Sequence, residues 1–339
     1  MRNYLVYCYL ITIINFKNGK NPKKMKRKCT ALLAAVAVFC LFLSLLTGCT
    51  AQEASDKLKI VTTVFPPYDF ARQIGGDNIE LTMLLSPGEE VHTYEPSPKD
   101  IIAMENADLF LCVGGESEAW TESVLSSLTS NRLTVVRMTD CVTALEEETV
   151  DGMQTGHGHD GDESEPELDE HVWTSPKNAV LILEQIRDAM CKADPQHAEA
   201  YTENAAAYAE RLRALDAEYA ALFANGGEIV VADRFPFRYL AHDYGITYYA
   251  AYPGCSNDAE PSAATVRFLV DRVRQDGIPV VFTIEFSNGK LADILCEETG
   301  CRRLELHSCH NLSKSDFDAG VSYADLTERN LTNLKEALS

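Results

Sequence analysis

Residues 196–223 read QHAEAYTENAAAYAERLRALDAEYAALF, with no glycine or proline inside the run. Ala, Glu, Arg and Leu dominate it, all strong helix formers. Asp194-Pro195 ahead of it supplies an N-cap and a first turn, and Asn225-Gly226-Gly227 behind it supplies the stop. At 1.5 Å per residue such a helix is roughly 42 Å long, more than one domain needs for its own core. It is expected to join two halves of the chain.

On either side of that helix, strand and helix patterns alternate. Before it, apolar β-rich runs fall at 58–64, 79–85, 109–113 and 133–138, with helical segments at 68–74, 98–106 and from Gly114-Gly115 to 128. Pro66-Pro67 is read as the stop of the first strand. After it, strands are expected at 228–231, 246–250, 279–284 and 303–306, and helices at 235–244, 262–275, 291–299 and 323–338. This rhythm argues for parallel sheets covered by helices. The fold class is therefore α/β, with two parallel-sheet lobes (58–192 and 227–339) joined by one long helix within 193–226. A ligand site is expected at the lobe interface, at the carboxyl ends of the strands.

The chain has 339 residues, 30 Lys+Arg and 51 Asp+Glu, for a net charge of −21. Eight of the basic residues and none of the acids lie in 1–48, so the rest carries −29. A body this acidic repels phosphate backbones and excludes nucleic acid as a partner; cations are favoured. The amino terminus is an address. Met25-Lys26-Arg27-Lys28 precedes an apolar run from Ala31 to Leu46 and then Leu46-Thr47-Gly48-Cys49, the layout of a secretory signal. The run is short for a spanning helix, which needs about 20 residues. Met25 is the expected start and 1–48 the signal; the Leu46-Thr47-Gly48-Cys49 ending resembles the lipobox of bacterial lipoproteins, which implies Cys49 as the lipidated first residue and 49–57 as a tether.

Seven cysteines remain beyond Cys49. No Cys-x-x-Cys occurs, which argues against a zinc ribbon. In an oxidising compartment some should pair. Cys255 and Cys309 both follow strands of the second lobe and form the first candidate disulfide, with Cys296 and Cys301 the next.

The chemistry concentrates at histidines. His92 sits in a turn-rich loop after the second strand. His171 follows Leu168-Asp169-Glu170, whose carboxylates can fix its tautomer. His307 and His310 flank Ser308-Cys309 just beyond the last strand, a metal signal of moderate specificity. His157 and His159 lie in 146–170, a segment with eleven acids and no Lys or Arg. That composition cannot form a core and reads as a mobile loop that gathers cations weakly. No Ser/His/Asp set, His-Glu-x-x-His or Gly-rich phosphate loop is present, so no enzymatic activity is expected.

Together these features are specific. The signal and lipobox, His92-Thr93-Tyr94-Glu95-Pro96-Ser97-Pro98, the acidic His-bearing loop and Asp169-Glu170-His171-Val172-Trp173 resemble the cluster A-I metal-binding lipoproteins of bacterial ABC importers. Pro253-Gly254, Glu260-Pro261-Ser262 and Thr283-Ile284-Glu285 fit the same family, and the likeness covers residues 56–339. It implies a monomeric receptor, lipid-anchored on the extracytoplasmic face, that passes zinc or manganese to a permease and its ATPase.

The family places four ligands between the lobes. Two carry over directly, His92 and His171. At the third position this chain has Arg234, which cannot coordinate; Asp233 beside it is the stand-in. At the fourth it has His307, and His310 is an extra imidazole that completes the set. Three imidazoles with at most one carboxylate or water suit Zn²⁺ better than Mn²⁺, which favours more oxygen ligands. Two other readings stay open at this level: a zinc metalloenzyme with an open coordination position, and a surface adhesin with a structural metal.

Overall fold

Leu58–Thr62 (β1), buried along most of its length, needs pairing partners on both sides and has them. The computed structural model describes residues 57–89, 94–154, 167–256 and 260–339, all within the unit Lys57–Ser339. The signal segment with Met25, the lipid site Cys49, His92, His157 and His159 lie outside the described residues. The first sheet is completed by Ile79–Met83 (β2), Leu109–Cys112 (β3) and Thr134–Arg137 (β4), every pair parallel, in the order β2-β1-β3-β4. Its helices are Phe65–Gly75 (α1), Pro98–Glu105 (α2) and Trp120–Ser127 (α3). Ser97 and Asp100 close α2 with a capping box.

Helix α1 starts three residues earlier than the sequence implies. Pro66 and Pro67 do not merely stop β1; they sit in the first helical turn, where a missing N–H costs nothing. Two helices follow the first sheet. Pro176–Ala193 (α4) was not anticipated, and it packs along Ala198–Leu222 (α5), the long helix. At its start, the Asp194 carboxylate bonds His197 Nδ1 (2.6 Å) and Tyr201 Oη (2.7 Å) and does not cap the helix. Helix α5 touches both halves. Asn204 Nδ2 donates to Ile74 O of α1 (3.0 Å), and Tyr219 Oη donates to Thr327 O near the chain's end (2.9 Å).

The second sheet repeats the parallel arrangement: Gly227–Phe235 (β5), Ile246–Pro253 (β6), Val280–Thr283 (β7) and Arg302–Glu305 (β8), in the order β6-β5-β7-β8. Arg238–Tyr244 (α6), Ala263–Gln275 (α7), Lys290–Thr299 (α8), Lys314–Asp318 (α9) and Tyr323–Ala337 (α10) surround it. Strand β5 runs four residues beyond the expected 231, with a register shift between Val231 and Arg234, so α6 begins at Arg238 and not at Phe235.

The acidic segment is also more ordered at its ends than its composition implies. Glu146 and Leu168 form an antiparallel bridge, Glu147 N donates to Glu167 O (2.8 Å), and Gln154 N donates to Ala251 O of β6 (2.9 Å). Backbone pairing holds these stems where side-chain burial cannot.

Candidate metal centre

The cleft at the carboxyl ends of the strands is where α/β ligands bind, and here the loops of both sheets meet. Its walls are Glu89 beyond β2, His171, Arg234 and Pro236 around the end of β5, Gly254 past β6, Ile284, Glu285 and Phe286 past β7, and Ser308, His310 and Asn311 past β8. The cleft encloses about 420 Å³ including its mouth. Asn311 Nδ2 ties the two sides together, donating to Ser86 O (2.9 Å) and Glu89 O (2.8 Å), and Phe65 N donates to His310 O (3.2 Å).

His171 is buried at 3% exposure. Its backbone N–H donates to Asp169 Oδ1 (2.8 Å), and its Nδ1 lies 3.2 Å from the same oxygen. The carboxylate therefore holds the proton on Nδ1 and leaves Nε2 as the acceptor, the tautomer a metal requires. Burial pushes the imidazole pKa down, but the charge and hydrogen bond of Asp169, with Glu170 adding, outweigh it and the net shift is upward. Glu170 is fixed in turn by Ser117, whose N–H donates to Oε1 (2.9 Å) and whose hydroxyl donates to Oε2.

Two glycines make this approach possible. Gly115, at φ 146°, lies where a Cβ would sit 2.3 Å from Glu170 Oε1. At Gly254 a Cβ would come within 2.9 Å of Phe235 O and 3.3 Å of His171 Cε1.

His310 meets His171 across the cleft, ring centroids 5.6 Å apart and planes perpendicular. Trp173 braces both, its ring 5.5 Å from His171 and 4.9 Å from His310. The indole Nε1 donates to Ser308 O at 2.8 Å, which anchors the loop carrying His310.

Two expected ligands are not in the cleft. His307 is turned away from it, into a small cavity behind, beside Tyr219, Tyr323 and Asn330. Its Nδ1 accepts the Cys309 N–H (2.9 Å), so a neutral ring carries its proton on Nε2 and has no lone pair left for a metal. The cause is the backbone: Cys309 adopts a left-handed φ of 64°, and the chain turns between His307 and His310. Asp233 likewise faces elsewhere. Its carboxylate accepts the Ser287 hydroxyl and the Arg234 N–H (2.8 Å), and the register shift in β5 brings Arg234 to the cleft instead.

Sequence reasoning gave no role to Glu89 or Asn311, and named Glu285 only as part of a family motif. Glu285 is 8% exposed, and both its oxygens are engaged by Ser308, N–H to Oε2 (2.7 Å) and hydroxyl to Oε1. The signal that finds it is a lone acid immediately past a buried strand. Among the described residues, no three His, Cys, Asp or Glu side chains gather closely enough to hold a metal ion.

The cysteine expectation is corrected too. Cys255 and Cys309 are both free thiols. Cys309 is buried with its thiol on His307 O (3.6 Å), whereas Cys255 packs by the Asp169 and Glu147 carboxylates, so the two occupy different surroundings. Burial pushes both thiols up from their ordinary range. Cys296 and Cys301 are also free, their sulfurs 3.3 Å apart in hydrogen-bond contact.

Comparison with known proteins bears on this cleft. The family described as ZnuA, zinc-uptake complex component A periplasmic, matches residues 60–337. The zinc-binding lipoprotein AdcA of Streptococcus pneumoniae is 35% identical over 298 residues, covering 86% of this chain and 58% of AdcA. The chain thus spans somewhat over half the length of that relative. The high-affinity zinc uptake system protein ZnuA of Bacillus subtilis is 31% identical over 303 residues, covering 85% of this chain and 90% of that protein. The crystal structure of the Zn(II)-bound ZnuA-like domain of S. pneumoniae AdcA superposes with a TM-score of 0.68 at 33% identity, covering 83% of this chain and 99% of that one.

Proposed function

The chain belongs to the ZnuA family of zinc-uptake complex components, and from that premise we propose that it is the extracytoplasmic receptor of an ABC importer, capturing Zn²⁺ in the cleft and delivering it to a permease driven by its ATPase. The observation that carries the reading is the pair His171 and His310, brought from opposite halves of the chain to face each other at 5.6 Å. Imidazoles are good zinc donors, and Asp169 holds His171 in the ligating tautomer. His92 is the third imidazole of the proposed set. Nitrogen-rich coordination favours zinc over manganese.

Cys49 is the proposed lipid anchor, and the receptor works as a monomer without catalysing a reaction. Its known relatives carry the names of zinc-binding and zinc-uptake proteins. Among the described residues no helix is long and apolar enough to cross a membrane.

Calorimetric titration with zinc tests the assignment. One ion per chain is expected, displaced only weakly by manganese, with binding lost in His171→Ala and His310→Ala. Retention of full affinity in both variants would remove the cleft as the site.

A further inference from the structure

We propose that Cys296 and Cys301 form a modification site: thiol–disulfide exchange with a small oxidised thiol compound closes them into a disulfide that staples the end of α8 to the start of β8.

Helix α8 ends where Gly300 takes a left-handed φ of 80° and donates its N–H to Cys296 O (2.9 Å). That reversal lays Cys301 back over the last turn of α8, and its sulfur comes to 3.3 Å from Cys296 Sγ. The turn is fixed on both sides. Thr299 Oγ1 donates to Leu295 O (2.7 Å) and accepts the Cys301 N–H (3.3 Å), while Arg302 N donates to Pro279 O (2.9 Å) and Arg303 pairs with Asp293 (2.9 Å). The sulfurs therefore meet with the backbone as it stands, which is the condition a disulfide imposes on its two cysteines.

The other thiols are placed differently. Cys112, Cys141, Cys191 and Cys309 donate to backbone carbonyls, and among the seven described cysteines no other two sulfurs lie within hydrogen-bond reach. Cys296 and Cys301 are only half-buried, at the edge of the cluster that holds Val281, Ala292 and Leu295, so a small disulfide can reach them. Burial, with the Cys301 thiol adding, pushes the Cys296 thiol up from its ordinary range, and Cys301 is therefore the sulfur that opens the exchange. It loses its proton, attacks the oxidised compound and expels one thiolate. Cys296 then loses its proton, attacks the Cys301 sulfur and expels the second. The two released thiolates take up the two protons, so one disulfide is reduced as the other forms. An extracytoplasmic chain meets such oxidants. The bond lies at the amino end of β8, whereas the cleft lies at the carboxyl ends of the strands, so the staple acts on stability and not on the metal.

The test equilibrates the folded full chain with mixtures of reduced and oxidised glutathione, quenches in acid, alkylates, and digests with trypsin without reduction. Cleavage after Lys290 and Arg302 leaves both cysteines in one peptide, residues 291–302. That peptide is expected unalkylated and lighter by two hydrogens, at a glutathione ratio where every other described cysteine is oxidised at least about tenfold less. Cys296→Ser should trap glutathione on Cys301, an adduct the wild type does not accumulate. The oxidised wild type should melt above the reduced protein, with no such difference in Cys301→Ser. A wild-type peptide that stays alkylatable on both sulfurs in excess oxidised glutathione, or that keeps glutathione on Cys301 without closing, would overturn the site. Equal melting of the closed and open forms would overturn the staple. Zinc titration of the two forms should give the same affinity, and a loss of zinc binding on oxidation would place the pair in the metal site instead.

Discussion

His171 and His310 stand edge to face, their ring centroids 5.6 Å apart at 90°, one from each half of the chain. His171 is fixed locally by Asp169, and His310 is fixed by the left-handed turn at Cys309 and, from the first half of the chain, by Trp173 beneath it. A donor pair assembled from two halves is sensitive to how those halves are held. It is also what a receptor needs if it is to grip an ion and then release it.

The first consequence separates histidines that sequence spacing treats alike. His310→Ala removes a cleft imidazole, and zinc affinity is expected to fall by at least about a hundredfold, while Asp169→Asn, which only loosens the tautomer of His171, should cost about tenfold to a hundredfold. His307→Ala should leave zinc affinity within about threefold of wild type and show its effect in stability instead. Its ring fills a buried cavity, and the Cys309 N–H bonded to it would be orphaned, a loss of about 1–3 kcal/mol. Calorimetry paired with urea unfolding reads both quantities. A His307 variant that lost zinc while keeping its stability would reverse the assignment.

That contrast shows how far the sequence could be read. The alternation of apolar runs and turn residues located the eight strands of the described residues to within a few residues, because strands of a parallel sheet buried on both faces read as near-continuous apolar runs. Pro176–Ala193 is overshadowed by the longer Ala- and Glu-rich run that follows it, with only residues 194–197 between the two helices. At the site, Asp169-Glu170-His171 was legible, since a carboxylate two residues from an imidazole reaches it locally. The choice between His307 and His310 was not legible. It depends on one backbone dihedral at Cys309, and the choice between Asp233 and Arg234 on a register shift in β5. Neither leaves a mark in spacing or hydropathy.

Trp173 offers an optical handle on the same geometry. Its indole is fully buried against both imidazoles, and the chain has only one other tryptophan, Trp120. Zinc binding is expected to change Trp173 emission, and the change should vanish in Trp173→Phe while persisting in Trp120→Phe. Trp173→Phe also deletes the donor to Ser308 O and leaves that carbonyl short of a partner. A stability loss of about 2–3 kcal/mol is expected, with a weaker grip on zinc because the His310 loop is no longer anchored. An emission change that survives in Trp173→Phe would show that the ion binds away from this ring.

Asp69 joins the two ends of the described chain. Fully buried, its Oδ1 accepts Arg72 Nε (3.0 Å) and Gln73 Nε2 (3.0 Å), and its Oδ2 accepts Tyr208 Oη (2.8 Å) and Tyr323 N (2.8 Å). One carboxylate thereby holds α1, α5 and the start of α10. Asp69→Ala strands all of these donors, including the Arg72 charge, and should destabilise the protein by about 3–5 kcal/mol. In urea the midpoint should drop with an unchanged slope. Zinc affinity of the molecules that remain folded should hold, since Asp69 is not part of the cleft. A loss below about 1 kcal/mol would mean that water replaces the carboxylate without penalty.

Glu118 sets a pH dependence whose sign follows from its burial. The side chain is 2% exposed, and burial raises its pKa to about 7; the amide hydrogen bonds to Oε2 from Val113 (2.8 Å) and Gly114 (3.2 Å) pull it only part of the way back. In the unfolded chain the same group ionises near 4.5. Between those two values the native state binds more protons than the unfolded state, so unfolding releases a proton and stability must fall as pH rises. The contribution is intact below about pH 4.5 and lost by about pH 7, at a rate of about 1.4 kcal/mol per pH unit at most. Glu118→Gln keeps an oxygen for the two amides but cannot ionise. Its melting temperature should therefore decline less than that of the wild type between about pH 5 and about pH 8. Parallel declines in the two proteins would show that Glu118 stays charged in the folded state, and would place the proton elsewhere.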